Sequence, residues 1–443
     1  MQRLRNPLLS FLFFLALLLP WLIFVFLPSG IAGHALFWLA IFFCLLLIWV
    51  VSDTQRHLAA AAGPDLGPRM LNETEQPEAV RQVMDVKIAI KENGLQVFRG
   101  PLRDSPSASF EKLNRALPKG LVPLVREDEQ LGAKIVLITR STETDISRKP
   151  VRPWLHWVLF GLTIITTTWA GARHQGVDLA QEPGLFIVGL PYAIGLLLIL
   201  GVHELGHFFM ARRHAMDVTP PYFIPVPFGL GTFGAFIQMR SPPANRNALF
   251  DVAVAGPLAG FVIAVPALLL GLRSSSITAS GDGTLTHGFL HGATVGSSIL
   301  FAVLTRISLG DAAQYGALVQ LSPLAFAGWL GLFITALNLL PVGQLDGGHI
   351  TRAMFGSRIG QTISSVAMWS LFLLALFVWP GLMMWALIVF LIAGRGAPPL
   401  NDLTPLDAGR MVVGYLAILI LILILAPMPH SLWDSASDIC PYL

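Results

Sequence analysis

Two histidines one helical turn apart, with a glutamate between them, are the first sign of chemistry in this chain. They lie in Gly201-Val202-His203-Glu204-Leu205-Gly206-His207, inside a long apolar run. On a helix, residues i and i+4 share a face, so both imidazoles can ligate one metal ion. Glu204 beside them can take a proton from a metal-bound water. The pattern is short and occurs in many soluble helices, but here three ionisable groups sit within an apolar segment, where each is costly and by default functional. The competing reading is a polar packing cluster between helices.

A catalytic zinc usually takes three protein ligands and leaves one position open. No glutamate follows Glu204, so a downstream Glu ligand is excluded. His214 comes seven residues after His207 without a Gly turn, behind Arg212-Arg213, and reads as an interface residue. His287 and His291 lie in a Gly/Ser/Thr-rich loop expected on the other side of the membrane. The carboxylates after the motif are Asp217, Asp251, Asp282, Asp311, Asp346, Asp402, Asp407, Asp434 and Asp438. Asp346 stands out, because it closes the segment from Asn338 through Pro341 and Gly343 to Asp346-Gly347-Gly348-His349. Pro341 and Gly343 can break a helix and turn Asp346 back toward the metal. A turn or cap carboxylate is the alternative for Asp346, and His349 reads as a local turn residue. Asn338 can donate a hydrogen bond to a developing oxyanion. Asp251 is expected to pair with Arg246 or to cap its helix.

These residues need a scaffold, and the composition says which kind. Of 443 residues, 54% are apolar and only 12% charged, with a mean hydropathy of +0.67. Soluble globular and disordered chains are both excluded. A net charge of +3 carries no nucleic-acid signature, and two cysteines, Cys44 and Cys440, make no disulfide framework. Residues 52–152 hold 16 Lys/Arg and 14 Asp/Glu, 30 of the 55 charged residues. The rest is largely apolar runs of spanning length. The expectation is a polytopic α-helical membrane protein of about nine spans with a small α+β soluble domain. The spans fall near 8–28, 31–51, 154–170, 185–210, 248–272, 319–341, 361–379, 380–394 and 411–428. Residues 293–307 are too short to cross and suit a half-helix. Residues 1–51 form a retained transmembrane hairpin, 52–152 the soluble domain, and 153–443 the core with its C-terminal spans. Arginines near the span ends put the N-terminus and the soluble domain in the cytoplasm.

Within the soluble domain, a helix is expected over 77–92 and another from Ser109 to Leu117. Strands are expected over 97–100, 122–126 and 134–139. The run Gly229-Leu-Gly231-Thr-Phe-Gly234-Ala-Phe-Ile-Gln-Met-Arg240 alternates poorly as a helix. An extended or hairpin segment dipping toward the site is one reading, a simple interfacial loop the other. Gly256-Pro257 and Gly260 signal close helix packing.

The constellation of His203-Glu204-Leu205-Gly206-His207 with Asn338, Pro341 and Asp346-Gly347 resembles the site-2 protease family of intramembrane zinc metalloproteases. Gly229 to Asp251, followed by Gly256 to Gly260, resembles that family's glycine-rich membrane-embedded loop and next span. Residues 327–348 and Pro398-Pro399-Leu400-Asn401-Asp402-Leu403-Thr404-Pro405-Leu406-Asp407 resemble its plant-plastid and cyanobacterial branch. No PDZ-like insertion separates the two motifs. The resemblance covers roughly residues 185–428. It implies a site-2-protease-like helical core, one zinc ion on His203, His207 and Asp346, Glu204 as general base and acid, and Asn338 as an oxyanion or substrate-positioning group. It also implies transmembrane protein substrates cut within the bilayer. A divalent-metal transporter and a catalytically inactive membrane chaperone of the same fold are the alternatives. A bacterial cytoplasmic membrane is the expected location, since no transit peptide precedes the first span, with a plastid membrane as the other possibility.

Overall fold

The computed structural model describes residues 69–92, 95–118, 120–127, 134–140, 152–278, 298–310, 318–377, 386, 389–390 and 399–426. They fall into two compact units. One takes in residues up to 140 with 342–344 and 361–396; the other holds 141–341, 345–360 and residues from 397 onward.

The first unit contains an antiparallel sheet built from β1 (Arg69–Met70), β2 (Ile88–Glu92), β3 (Leu95–Arg99), β4 (Leu121–Glu127) and β5 (Lys134–Arg140), in the order β1-β2-β3-β5-β4. Two helices accompany it, α1 (Glu78–Val83) and α2 (Pro106–Ala116). Ser105 caps α2 by accepting the Ala108 N–H, and Pro106 presets the first turn. Val80, Val83, Phe98, Leu113, Val125 and Val136 are buried. The α+β reading holds, with one correction. The helix expected over 77–92 stops at Val83, where Met84 turns extended, and 88–92 is a strand. Ile88 and Ile90 are β-branched, and pairing in register with β3 (Ala89 opposite Phe98) overrides the local helical pattern.

The second unit begins with α3 (Pro153–His174) and, after a short 3-10 turn, α4 (Leu190–Arg213). A hairpin follows, β6 (Tyr222–Pro225) and β7 (Thr232–Phe236), then α5 (Arg246–Arg273) and β8 (Ser276–Thr278). Next come α6 (Ile299–Leu309), β9 (Leu318–Gln320), α7 (Pro323–Leu339), α8 (Asp346–Phe377, of which residues up to 360 belong to this unit) and α9 (Ala408–Leu425). Helix α4 packs most extensively on α5, and α5 on α7. Polar caps start several helices: Asn245 for α5, Ser322 for α7 and Asp407 for α9. The outward face of α4 is as apolar as the inner one, with Ile194, Leu198, Leu205 and Phe209 all exposed. A helix apolar all round suits lipid rather than water.

Among the described residues, four helices are long and apolar enough to cross a membrane: Pro153–His174, Pro183–Arg213, Arg246–Arg273 and Ala408–Leu425. The polytopic helical character therefore holds, but the count of nine does not follow from these residues. The hairpin at 8–51 and nearly all of 380–394 lie outside them, as do Cys44 and Cys440. The 319–341 run becomes α7, a shorter apolar helix, and the short 293–307 segment is represented by α6.

Candidate metal centre

Helix α4 is continuous through its polar motif, so the i, i+4 rule applies without distortion. His203 and His207 are 4% and 7% exposed, and Glu204 is 8% exposed. The two Nε2 atoms stand 3.1 Å apart. One Asp346 carboxylate oxygen, Oδ2, lies 3.5 Å from His203 Nε2 and 3.3 Å from His207 Nε2. In a tetrahedral zinc shell with bonds of about 2.0–2.1 Å, neighbouring donors are roughly 3.3 Å apart. The triangle therefore has the donor types and the edge lengths of one face of such a shell, with a fourth position left over.

The second ring nitrogen of His207 decides its tautomer. Nδ1 lies 2.7 Å from the Val252 carbonyl on α5, which can only accept, so Nδ1 carries a proton and, in the neutral ring, Nε2 is the nitrogen left to ligate. The ring has room because residue 256 is glycine: a Cβ there would overlap the imidazole. The Gly256-Pro257 packing signal is thus also a site feature.

Asp346 arrives through a broken helix. α7 stops at Leu339, Leu340 turns extended, Gly343 adopts φ +50°, and α8 restarts at Asp346 itself. A carboxylate in the first turn of a helix is favoured by the helix dipole. Asn338, in the last turn of α7, brings Nδ2 to 3.4 Å from His203 Nε2. All five sequence-selected residues are therefore in one neighbourhood.

The hairpin runs beside them. The backbone N–H of Ile237, the residue after β7, is close to the Glu204 carboxylate. The β6 side is docked on α3: His156 Nδ1 donates to the Pro221 carbonyl at 3.0 Å, and its ring packs on Tyr222. The turn is held by Thr166 Oγ1, donating to the Gly231 carbonyl at 2.7 Å, and by Tyr192 OH, donating to that of Leu230 at 3.0 Å. Of the two readings of this segment, the extended one applies over Thr232–Phe236, and among the described residues the outer edge of β7 pairs with no strand.

Other candidates go elsewhere. His214 ends α4 and binds Asp251 Oδ2 at 2.9 Å. Asp251 neither pairs with Arg246 nor caps α5; Arg410 on α9 grips it with two bonds of 2.6 and 2.7 Å. Arg246 pairs with Asp402 instead, and Asn245 provides the cap. His349 is helical rather than in a turn and stands outside the donor triangle. His287 and His291 lie outside the described residues. The Val252 carbonyl and the Ile237 N–H escaped the sequence reading, since a backbone group leaves no mark in residue type.

Comparison with known proteins points the same way. Residues 191–378 match the family model described as Peptidase family M50. The chain is 30% identical to the "Probable zinc metalloprotease EGY2, chloroplastic" of Arabidopsis thaliana over 348 residues, 76% of this chain and 60% of that protein. It is 31% identical over 350 residues to the protein of the same name from Oryza sativa subsp. japonica, covering 75% and 61%. With the "Probable zinc metalloprotease EGY1, chloroplastic" of Arabidopsis thaliana it shares 36% over 253 residues, covering 56% and 44%. The chain thus spans about 60% of the length of the EGY2 relatives it matches.

Proposed function

We propose that this chain, whose residues 191–378 match the model of peptidase family M50, is an intramembrane zinc metalloendopeptidase of the site-2 protease type that hydrolyses peptide bonds in or near transmembrane helices of membrane proteins. The observation that carries the reading is the His203–His207–Asp346 triangle, whose edges of 3.1 to 3.5 Å suit a single tetrahedral ion.

His203, His207 and Asp346 hold the zinc. Zinc, when bound, acts as a Lewis acid toward a peptide carbonyl and makes water more acidic. Glu204 accepts the proton of the attacking water and returns it to the leaving amine. The Ile237 N–H lies near the Glu204 carboxylate, on the hairpin side. The Asn338 amide, at the rim of the triangle, donates to the oxygen that gains charge. The substrate must be unwound to be cut. The outer edge of β7 offers main-chain donors and acceptors to an extended segment, and Phe233 and Phe236, 72% and 46% exposed, offer apolar contact.

Two measurements on the full chain in detergent test this. Glu204→Gln keeps its zinc and loses cleavage of single-span peptides; cleavage at the wild-type rate would remove Glu204 as the base. Gly234 sits at φ +100° and its N–H bonds Thr232 Oγ1 at 3.0 Å, neither of which proline can reproduce. Gly234→Pro therefore lowers cleavage with zinc still bound, and unchanged proteolysis would count against strand addition.

A further inference from the structure

A second polar cluster lies away from the donor triangle, and its wiring leads back there. Asp402 is buried, 6% exposed, in the segment before α9. That segment is stitched to the approach of α5: the Leu400 and Asn401 N–H groups donate to the Pro243 and Ala244 carbonyls, each at 3.0 Å. Asn401 folds the loop on itself, its amide oxygen accepting the N–H groups of Leu403 and Thr404. The Asp402 carboxylate is thereby delivered to three groups. Arg246 Nε donates to Oδ1 at 3.0 Å, Ser357 Oγ donates to Oδ2, and Arg352 Nη2 lies 3.7 Å from Oδ2 while donating to Ser357 Oγ at 2.9 Å. The Arg246 guanidinium also lies against Gly356, whose φ of +84° breaks α8.

The two arginines belong to the two elements that set separate donors. Arg246 opens α5, six residues before Val252, whose carbonyl fixes the tautomer of His207. Arg352 lies six residues after Asp346 on the short 346–355 stretch of α8. Each is about 9 Å along its helix from the group it serves. We infer that Asp402 is a positioning residue for the metal centre: by clamping Arg246 and Arg352 to one carboxylate, it fixes the spacing between the α5 carbonyl that orients His207 and the helix that carries Asp346. The inference rests on the metalloprotease reading and adds to it a residue that touches neither metal nor substrate.

The test uses the full chain in detergent, with zinc affinity read by chelator competition and donor geometry by the visible spectrum of the cobalt-substituted site. Asp402→Asn keeps the shape and removes the charge, and zinc affinity is expected to fall about 10- to 100-fold, as for other outer partners of metal ligands, with a changed cobalt spectrum. Arg352→Gln opens one arm only and gives a smaller loss in the same direction; it decides the matter should Asp402→Asn fail to fold. Leu304→Ala, a cavity in the apolar core, lowers the unfolding temperature while keeping wild-type zinc affinity. Wild-type affinity and an unchanged cobalt spectrum in the latch variants would overturn the positioning role whatever happens to activity, as would an equal loss of affinity in Leu304→Ala. Undiminished zinc binding by His203→Ala would overturn the underlying metal-centre reading as well.

Discussion

Asp346, Asp251 and Asp402 all lie among the helices of the second unit, yet they keep different company. Asp251 is held by Arg410 and His214, and Asp402 by Arg246, Arg352 and Ser357. Among the described residues, the ion-pair partners of Asp346 are the two imidazoles of α4. A carboxylate in apolar surroundings needs positive charge nearby. The first two have it built in as guanidinium. Asp346 faces the ring nitrogens of His203 and His207 instead, and in the proposed reading the cation is a metal ion that all three donors share. Two of these aspartates pair with guanidinium groups and the third faces the imidazole pair, and residue type alone does not separate them.

That contrast can be broken by substitution. The largest effect is expected at the group beside the triangle: Glu204→Gln lowers the cleavage rate about 10²- to 10⁴-fold, the usual range for general acid–base catalysis, with zinc content unchanged. Gly256→Ala pushes a methyl group into the His207 ring; zinc affinity by chelator competition falls about 10- to 100-fold, as when an outer partner of a ligand is lost. Asp251→Asn sharpens the contrast from the other side. It costs about 1.5–3 kcal/mol of stability, the scale of a charged hydrogen bond, seen as a lower unfolding temperature. Its zinc affinity stays at the wild-type value, and a loss there would erase the division between structural and chemical carboxylates. The smallest effect belongs to Tyr192→Phe, which leaves the Leu230 carbonyl at the hairpin turn without its donor. About 1 kcal/mol is lost, read as a raised KM for single-span peptides with zinc occupancy intact.

What could be read from sequence was what is local. The His203–His207 pair needs only a helix to share a face, and α4 runs straight through it. The interruption between Asn338 and Asp346 was legible because Pro341 removes a donor and Gly343 takes a positive φ. For 229–240 the glycines and aromatics left an extended segment and an interfacial loop both open, and pairing with β6 selects the first. Where pairing partners lie far along the chain, sequence reasoning ran out. Arg410 is 159 residues from Asp251 and Asp402 is 156 from Arg246, and nothing local chose either over the neighbouring candidates. Residues 88–92 failed for a related reason: their strand state comes from β3, not from their own helical pattern. The Val252 carbonyl was invisible because every residue has one.

The central claim is that a distant aspartate completes a metal site begun by two histidines on one helix. Zinc content per chain, measured on purified wild type and on Asp346→Ala prepared side by side, tests it most directly. The expected result is about one zinc in the wild type and a sharp loss in the variant. Full zinc occupancy in Asp346→Ala would contradict the claim.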